Sequence, residues 1–160
     1  MKVYIVRHGD AVLSGVDPER PLSEQGRADV SNVGEFLRPM NLCVEHIWHS
    51  GKLRAQQTAE ILAKSVHSEN DCSARRGLSP NDIAHEIAEE LQAYNTDLMI
   101  VSHLPFVGIL ASLLATGRET ANIIDFVAGS IACLNHHNRG KWQIEWVISP
   151  KMIRCTNGGS

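Results

Sequence analysis

The stretch Lys2-Val3-Tyr4-Ile5-Val6-Arg7-His8-Gly9 decides the fold class of this chain. Its β-branched and aromatic residues show no polar alternation, which predicts a strand buried on both faces, as in parallel sheets covered by helices. Arg7 and His8 therefore follow at the C-terminal end of the strand, the edge where open α/β sheets bind ligands. Gly9 can adopt backbone angles that let a ligand approach the main chain. Arg7 and His8 at this position are suited to binding an anion. The same tripeptide, Arg7-His8-Gly9, is also compatible with an ordinary strand end whose side chains face water.

The composition describes one ordinary globular domain. The chain has 160 residues, a formal net charge of -3, 43% hydrophobic and 21% charged residues, which excludes a disordered tail, a coiled coil and a polybasic binder. Its apolar runs fall short of the ~20 residues that span a bilayer, and the N-terminal stretch lacks an export pattern. We therefore expect no nucleic acid partner, no membrane partner and a cytoplasmic location. Four cysteines without a C-x-x-C pair predict structural thiols rather than a zinc or dithiol site.

Two helices have clear start signals in the sequence. Ser23 is the predicted N-cap of a helix that ends at Pro39. Pro80-Asn81-Asp82 opens another, because proline and acidic residues suit the first turn of a helix, and this helix is predicted to run to about Tyr94. Its predicted buried stripe is Ile83, Ile87 and Leu91.

Apolar runs predict the remaining elements. Further strands are expected over residues 44–50 and 97–102, and a closing pair over residues 130–135 and 141–148, joined by a hairpin turn at 136–140. Further helices are expected over residues 52–65 and 107–115. Residues 66–79 are predicted to be a surface connection with one short edge strand at most.

Strands that alternate with helices predict a three-layer α/β/α sandwich with a mostly parallel central sheet. We expect a single domain over residues 1–150 and a C-terminal tail over residues 151–160. In such a sheet the loops after successive parallel strands meet at one edge. Those loops carry Arg7-His8-Gly9, Ser50-Gly51-Lys52-Leu53-Arg54 and Ser102-His103.

This set of residues is suited to a phosphoryl group. The planar guanidinium of arginine fits phosphoryl oxygens, and a helix N-terminus adds free N–H donors. Neighbouring arginines disfavour the protonated form of an imidazole, so a histidine among them can remain neutral and attack phosphorus. The residues therefore predict a phosphoryl-transfer site as well as a binding site.

The motifs resemble those of the histidine phosphatase superfamily, whose fold is phosphoglycerate mutase-like. Val6-Arg7-His8-Gly9 matches the family's R-H-G, and His49 to Thr58 is similar to its S-P-x-x-R-A-x-Q-T, with Gly51 in place of proline. Val101-Ser102-His103 resembles the second-histidine motif, with serine in place of the commoner glycine. Together with Arg20-Pro21-Leu22-Ser23 and Ser102-His103-Leu104-Pro105, these motifs are most similar to small SixA-type phosphohistidine phosphatases.

The resemblance implies a role for each matching residue. His8 takes the phosphoryl group, while Arg7, Arg54 and His103 hold its oxygens. Arg20, Gly9 and Ser50 are the implied substrate-binding residues. On the sequence alone, Arg20 is also compatible with a solvated arginine before a turn. His103 is also compatible with a histidine that caps the end of a strand. No metal ion or other cofactor is expected.

The predicted substrate follows from a missing acid. Relatives that act on phosphate esters use a glutamate after the second helix to protonate the leaving group, whereas Arg76-Gly77-Leu78-Ser79-Pro80 holds no carboxylate here. An imidazole leaving group depends less on such help. Only 48 residues separate Arg54 from His103, which leaves no room for a lid insertion. The expected partner is a phosphohistidine-bearing protein, such as a phosphotransfer domain or a phosphocarrier.

Other functions remain compatible with the sequence. Asp82 or Glu86 could supply the acid, which would suit a phosphatase for small phosphate esters. A binding module that holds a phosphoprotein without turnover is a second alternative, and the intact Arg7, His8, Arg54 and His103 weigh against it. A nucleotide-binding flavodoxin-like domain is a third, and it is disfavoured because the chain has no G-x-x-x-x-G-K loop.

Overall fold

The computed structural model describes residues 1–137 and 140–156. Six strands form its main sheet, in the spatial order β5-β3-β6-β1-β7-β8. They are β1 (Lys2–Arg7), β3 (His46–His49), β5 (Ser73–Ala74), β6 (Leu98–Ser102), β7 (Ile131–His137) and β8 (Lys141–Ile148). A separate parallel pair consists of β2 (Cys43–Val44) and β4 (His67–Ser68).

The sheet is mostly parallel. β1, β3, β5 and β6 pair in parallel, whereas β7 is antiparallel to both of its neighbours, β1 and β8. β1 lies between β6 and β7, and its residues from Val3 to Val6 are all buried. The prediction of a central strand covered on both faces is confirmed.

Helices cover both faces and give the predicted three-layer sandwich. They are α1 (Glu24–Leu37), α2 (Leu53–Leu62), α3 (Ala84–Ala93), α4 (Phe106–Thr116) and α5 (Pro150–Thr156). Val3 and Ile5 belong to the core on the α3 and α4 side. Tyr4 and Val6 belong to the core on the α1 and α2 side, because successive side chains of a strand point to opposite faces.

The start and end of α1 follow the predicted signals. The Ser23 hydroxyl accepts a hydrogen bond from the backbone N–H of Gly26 at 3.0 Å, and the helix ends at Leu37, ahead of a 3-10 turn that contains Pro39. Proline cannot donate a backbone hydrogen bond, so it cannot continue the helix. The short spacing between Arg54 and His103 predicts that no lid is inserted there, and the described residues between Arg54 and β6 form only α2, β4, β5 and α3.

Three predicted elements differ from the structure. Residues 44–50 hold parts of two strands rather than one, and residues 66–79 hold two short strands, β4 and β5. The third helix begins at Ala84 instead of residue 80, and Ile83 is 62% exposed rather than buried. The Asp82 carboxylate accepts a hydrogen bond from the Ser79 N–H at 2.7 Å. Such local bonds favour a turn over a helix, which explains the later start.

The C-terminal region also differs from the expected tail at residues 151–160. Residues 150–156 form α5, in which Ile153 is buried against the α1 side of the core and Arg154 contacts Asp29 at 3.2 Å. Residues 157–160 lie outside the described part, as do positions 138 and 139 of the predicted hairpin turn.

None of the helices in the described part has the length and apolar character needed to cross a membrane. Cys43, Cys72 and Cys133 are free thiols.

Candidate active site

The ring of His8 is held in one tautomer at the end of β1. Its Nδ1 lies 2.6 Å from the carbonyl oxygen of Gly9. A carbonyl oxygen only accepts, so Nδ1 carries the hydrogen and donates it. The other ring nitrogen, Nε2, accepts a hydrogen bond from Nε of Arg54 at 3.3 Å. The lone pair of Nε2 therefore points toward the guanidinium group of Arg54.

Thr58 couples the helix that carries Arg54 to the loop that carries His8. Its hydroxyl donates to the carbonyl of Arg54 at 2.7 Å and accepts from the backbone N–H of Gly9 at 3.1 Å. Thr58 is fully buried. In the sequence, only its position at the end of the match to S-P-x-x-R-A-x-Q-T marks Thr58 for this role.

The pKa of His8 is lowered from 6.5 to about 4. Burial is the main cause, and the charges of Arg54, Arg7 and Arg20 lower it further, while the bond to Gly9 acts in the opposite direction. The pKa of Arg54 is itself lowered by burial and by Arg20. His8 is thus neutral at physiological pH, as a nucleophilic imidazole must be.

His103 lies beside His8, with 4.8 Å between the ring centroids. Its Nε2 lies 2.6 Å from the hydroxyl oxygen of Ser50, and its buried Nδ1 has no hydrogen-bond partner in the described structure. Burial is the main cause that lowers the pKa of His103 to about 3, followed by the nearby His8 and by the charges of Arg54, Lys52 and Arg20. The two histidines predicted from separate strand ends therefore do share one pocket.

Arg7 is anchored by a segment that the sequence patterns did not single out. One of its terminal nitrogens donates to the carbonyl of Phe126 at 2.7 Å. Its buried Nε has no partner among the described residues. Burial lowers the pKa of Arg7, while Asp125 and Asp10 act to raise it. The segment before β7 thus builds part of the site, and no motif marks it.

Arg20 reaches the same pocket from the loop after β1. Its charge contributes to the lowered pKa of His8, Arg54 and His103. Its Nε donates to the carbonyl of Val12 at 3.2 Å, and its backbone has a positive φ of 51°, which is uncommon outside glycine. The half-buried Arg20 is therefore part of the cationic group around His8 rather than a fully solvated arginine.

Gly9 is packed closely against its neighbours, and its implied role in substrate binding stays a prediction. It is buried, its N–H is taken by Thr58, and a Cβ at this position would lie 2.7 Å from Cγ2 of Val30. Gly9 is needed because α1 packs against it. Gly26 in α1 has a similar role, since its Cβ would lie 2.1 Å from the carbonyl oxygen of Asp10. The Asp10 carboxylate accepts from the Ser23 hydroxyl at 2.6 Å, so it holds the start of α1.

The two departures from the family motifs have structural correlates. Gly51 has a φ of +84°, which proline cannot adopt, and its N–H donates to Nδ1 of His49 at 3.1 Å. The hydroxyl of Ser102 donates to the carbonyl of Leu78 at 2.6 Å. This bond ties residues 75–79 to the end of β6.

An open cavity of about 720 Å³ is lined in part by Ser50, which contacts His103. Residues 74–77, Ser79, Asn81, Asp82, Ile83 and Glu86 complete its lining. Asp82 and Glu86 are its carboxylates, and Asp82 is already bonded to the backbone of Ser79. Within the described residues, no group of three or more His, Cys, Asp or Glu side chains could hold a metal ion.

The fold and this pair of histidines among arginines define a member of the histidine phosphatase superfamily, to which the chain belongs. The family model for branch 1 of that superfamily matches residues 3–79. The phosphohistidine phosphatase SixA of Escherichia coli K12 is 30% identical over 155 residues, which cover 94% of each chain.

Solved structures agree with this assignment. The structure of the protein histidine phosphatase SixA complexed with tungstate matches with a TM-score of 0.85 and 27% identity, covering 96% of this chain and 99% of that one. Phosphoserine phosphatase from Entamoeba histolytica, in complex with 3-phosphoglyceric acid, matches with a TM-score of 0.70 over 92% of this chain and 96% of that one. At 14% identity, the second match shows the shared fold alone.

Proposed function

We propose that this protein is a phosphohistidine phosphatase that removes phosphate from a phosphohistidine on another protein through a phosphorylated His8. The observation that carries the proposal is the fixed tautomer of His8, with Nδ1 donating to Gly9 and Nε2 facing Arg54 at 3.3 Å. The kinship with Escherichia coli SixA supports the substrate class.

The reaction has two displacements at phosphorus. In the first, Nε2 of His8 forms a bond to phosphorus while the P–N bond of the substrate breaks, and the substrate imidazole leaves with the electron pair. In the second, water attacks phosphorus, and the pair of the breaking P–N bond returns to Nε2. Arg7, Arg20 and Arg54 would neutralise charge on the phosphoryl oxygens, and His103 would contact one of them.

The leaving group favours phosphohistidine over a phosphate ester. An alkoxide needs a proton from a general acid, whereas an imidazole whose other nitrogen is protonated leaves as a neutral ring near neutral pH. Residues 76–80 bring no carboxylate to the pocket, and the Asp82 carboxylate is bonded to the Ser79 backbone. A phosphotransfer domain or a phosphocarrier would present such a substrate, which would give the enzyme a role in signal transduction.

Trapping the phosphoenzyme tests the proposed nucleophile. Turnover of a ³²P-labelled phosphohistidine protein, quenched in alkali, should leave label on the wild-type chain that is stable to alkali and lost in acid, as a phosphoramidate is. His8→Ala should retain the fold but show no label and no turnover. His85→Ala, at an exposed position of α3, is the matched control and should behave like wild type. Label on serine or aspartate would contradict the proposal.

Relative efficiencies test the substrate class. We expect kcat/KM on a phosphohistidine protein to be far higher than on p-nitrophenyl phosphate or a phosphoglycerate. Comparable efficiency on the esters, lost in Asp82→Asn or Glu86→Gln, would instead favour the small-ester phosphatase. Tight binding of the phosphoprotein without phosphate release would favour a non-catalytic binding module.

A further inference from the structure

Exposed apolar side chains are concentrated around the candidate active site. Ten large apolar side chains of the described residues are exposed, and six of them come from loops at the sheet edge that carries His8. We call these six the apolar rim: Leu13, Val16, Ile83, Leu104, Ile123 and Val127. The other four are on α1, the following 3-10 turn, β8 and α5: Phe36, Met40, Ile144 and Met152.

Topology brings the rim residues to one edge of the sheet. Leu13 and Val16 follow β1, and Leu104 follows β6, so both loops leave the C-terminal ends of parallel strands. Ile123 and Val127 precede β7, whose N-terminal end lies at the same edge because β7 is antiparallel to β1.

Contacts link each part of the rim to the pocket. The loop that contains Leu13 and Val16 also contains Arg20, which is bonded to Val12. Leu104 directly follows His103. The segment with Ile123 and Val127 supplies the Phe126 carbonyl that holds Arg7, and Ile83 lines the same cavity as Ser50.

Single exposed apolar residues are ordinary on protein surfaces, whereas a group of them around a polar site marks a surface that binds another protein. The rim is strongly exposed, with Val16 at 78%, Leu13 at 71% and Ile83 at 62%. At its centre are the cations that lower the pKa of the two histidines, among them Arg7, Arg20, Arg54 and Lys52. A matching partner therefore presents an anion surrounded by apolar side chains.

We propose that the apolar rim docks the protein that carries the phosphohistidine, and that apolar residues flank the phosphohistidine on this partner. The inference rests on the proposed function and adds where the binding energy comes from. A histidine side chain is short, so a phosphoryl group that reaches His8 brings the surrounding surface of its protein onto these loops. A free phosphohistidine or a small ester has no such surface and gains nothing from the rim.

A double substitution separates docking from chemistry. Leu13→Ser and Val16→Ser are combined, which leaves untouched the lining of the cavity beside Ser50 and the neighbours of His103 and of Phe126. The control combines Phe36→Ser and Met40→Ser, which remove exposed apolar side chains far from the rim. Both proteins are compared with wild type on a phosphorylated phosphotransfer domain and on free phosphohistidine.

The rim variant should lose roughly tenfold or more in kcat/KM on the phosphoprotein, mainly through a higher KM, because truncated interface anchors have effects of this size. Its kcat/KM on free phosphohistidine should equal that of wild type, and the control variant should match wild type on both substrates. Unchanged phosphoprotein kinetics, or equal losses on both substrates, would overturn the inference. A wild-type protein inactive on the phosphoprotein would instead refute the proposed function itself.

Binding without turnover gives a second measurement. His8→Ala, with and without Leu13→Ser and Val16→Ser, is titrated with the phosphorylated domain. The rim substitutions should raise the Kd by a similar factor, and an unchanged Kd would contradict the docking role.

Discussion

The hydroxyl oxygen of Ser50 lies 2.6 Å from Nε2 of His103, joining the loops that follow β3 and β6. Both residues come from strand ends that are neighbours in the sheet. Because the other ring nitrogen of His103 has no hydrogen-bond partner in the described structure, Ser50 is the group that orients this ring beside His8.

Removing the Ser50 hydroxyl should therefore disturb the reaction more than the fold. We expect Ser50→Ala to lower kcat/KM on the phosphohistidine protein by roughly 2- to 12-fold, which corresponds to one hydrogen bond of about 0.5–1.5 kcal/mol. Ser50→Thr keeps the hydroxyl and should recover most of the rate. Steady-state kinetics of the two variants provide the measurement, and a Ser50→Ala protein with wild-type efficiency would show that His103 needs no such orientation.

Thr58 should matter for stability as well as for rate. Thr58→Val keeps the shape but leaves the Gly9 N–H without its acceptor, and an unsatisfied buried group costs about 1–3 kcal/mol. We expect a fall of this size in the free energy of unfolding, measured by urea denaturation, together with a lower kcat. Thr58→Ser, which retains the hydroxyl, is the control and should be closer to wild type in both measurements.

Two glycines of α1 should respond differently to alanine, although helix propensity alone favours alanine at both by about 1 kcal/mol. At Gly26 the new Cβ would lie 2.1 Å from the Asp10 carbonyl oxygen, a backbone atom of the His8 loop. At Gly34 the nearest atom is the rotatable Ser65 hydroxyl, at 3.0 Å. Gly26→Ala should lose about 1–3 kcal/mol of stability, as overpacking does, and also lose activity. Thermal unfolding should show Gly34→Ala nearly neutral, and equal effects at the two sites would contradict this packing.

The lowered pKa of His8 predicts how the protein responds to acid. In an NMR titration the ring should protonate near pH 4 rather than 6.5. Between these values the unfolded chain binds the proton and the folded protein does not, so stability rises with pH there. The contribution of His8 to stability is thus complete above pH 6.5 and lost as the pH falls through 4. Between pH 6.5 and pH 4, the free energy of unfolding of His8→Asn should fall less than that of the wild type. A His8 ring that titrates at 6.5 would refute the prediction.

The reaction should proceed without a divalent metal ion, because arginines supply the positive charge that a metal would otherwise provide. Activity measured after dialysis against EDTA should equal that of the untreated protein. Vanadate, which mimics five-coordinate phosphorus, should inhibit. Activity lost with EDTA and restored by magnesium would contradict this account of the pocket.

Much of the fold was predictable because long-range and local signals agree. The apolar run before Arg7 predicted a strand buried on both faces, and Ser23 and Pro39 bound α1 as expected. Matched motifs at three strand ends were enough to bring His8, Arg54 and His103 together, since parallel strands end at one edge.

The remaining features depend on contacts that leave no local pattern. Phe126 contributes a backbone carbonyl to Arg7, which any residue type could provide. The turn at Ser79 and Asp82 outcompetes an apparent helix start through a single side-chain bond. Gly9 and Gly26 look like flexible positions in the sequence, yet each is required by how closely α1 approaches the His8 loop.

The central place of β1 has a consequence for how the protein is made. Val3 pairs with Leu98 and Leu134, so β1, which ends just before His8, is synthesised long before either of its partner strands. At typical elongation rates, this delay is on the order of ten seconds. During that time the apolar β1 segment has neither of its partner strands, and unpaired strand edges are prone to aggregation. The site around His8 is therefore complete, and enzymatic activity can appear, only after synthesis has passed β7.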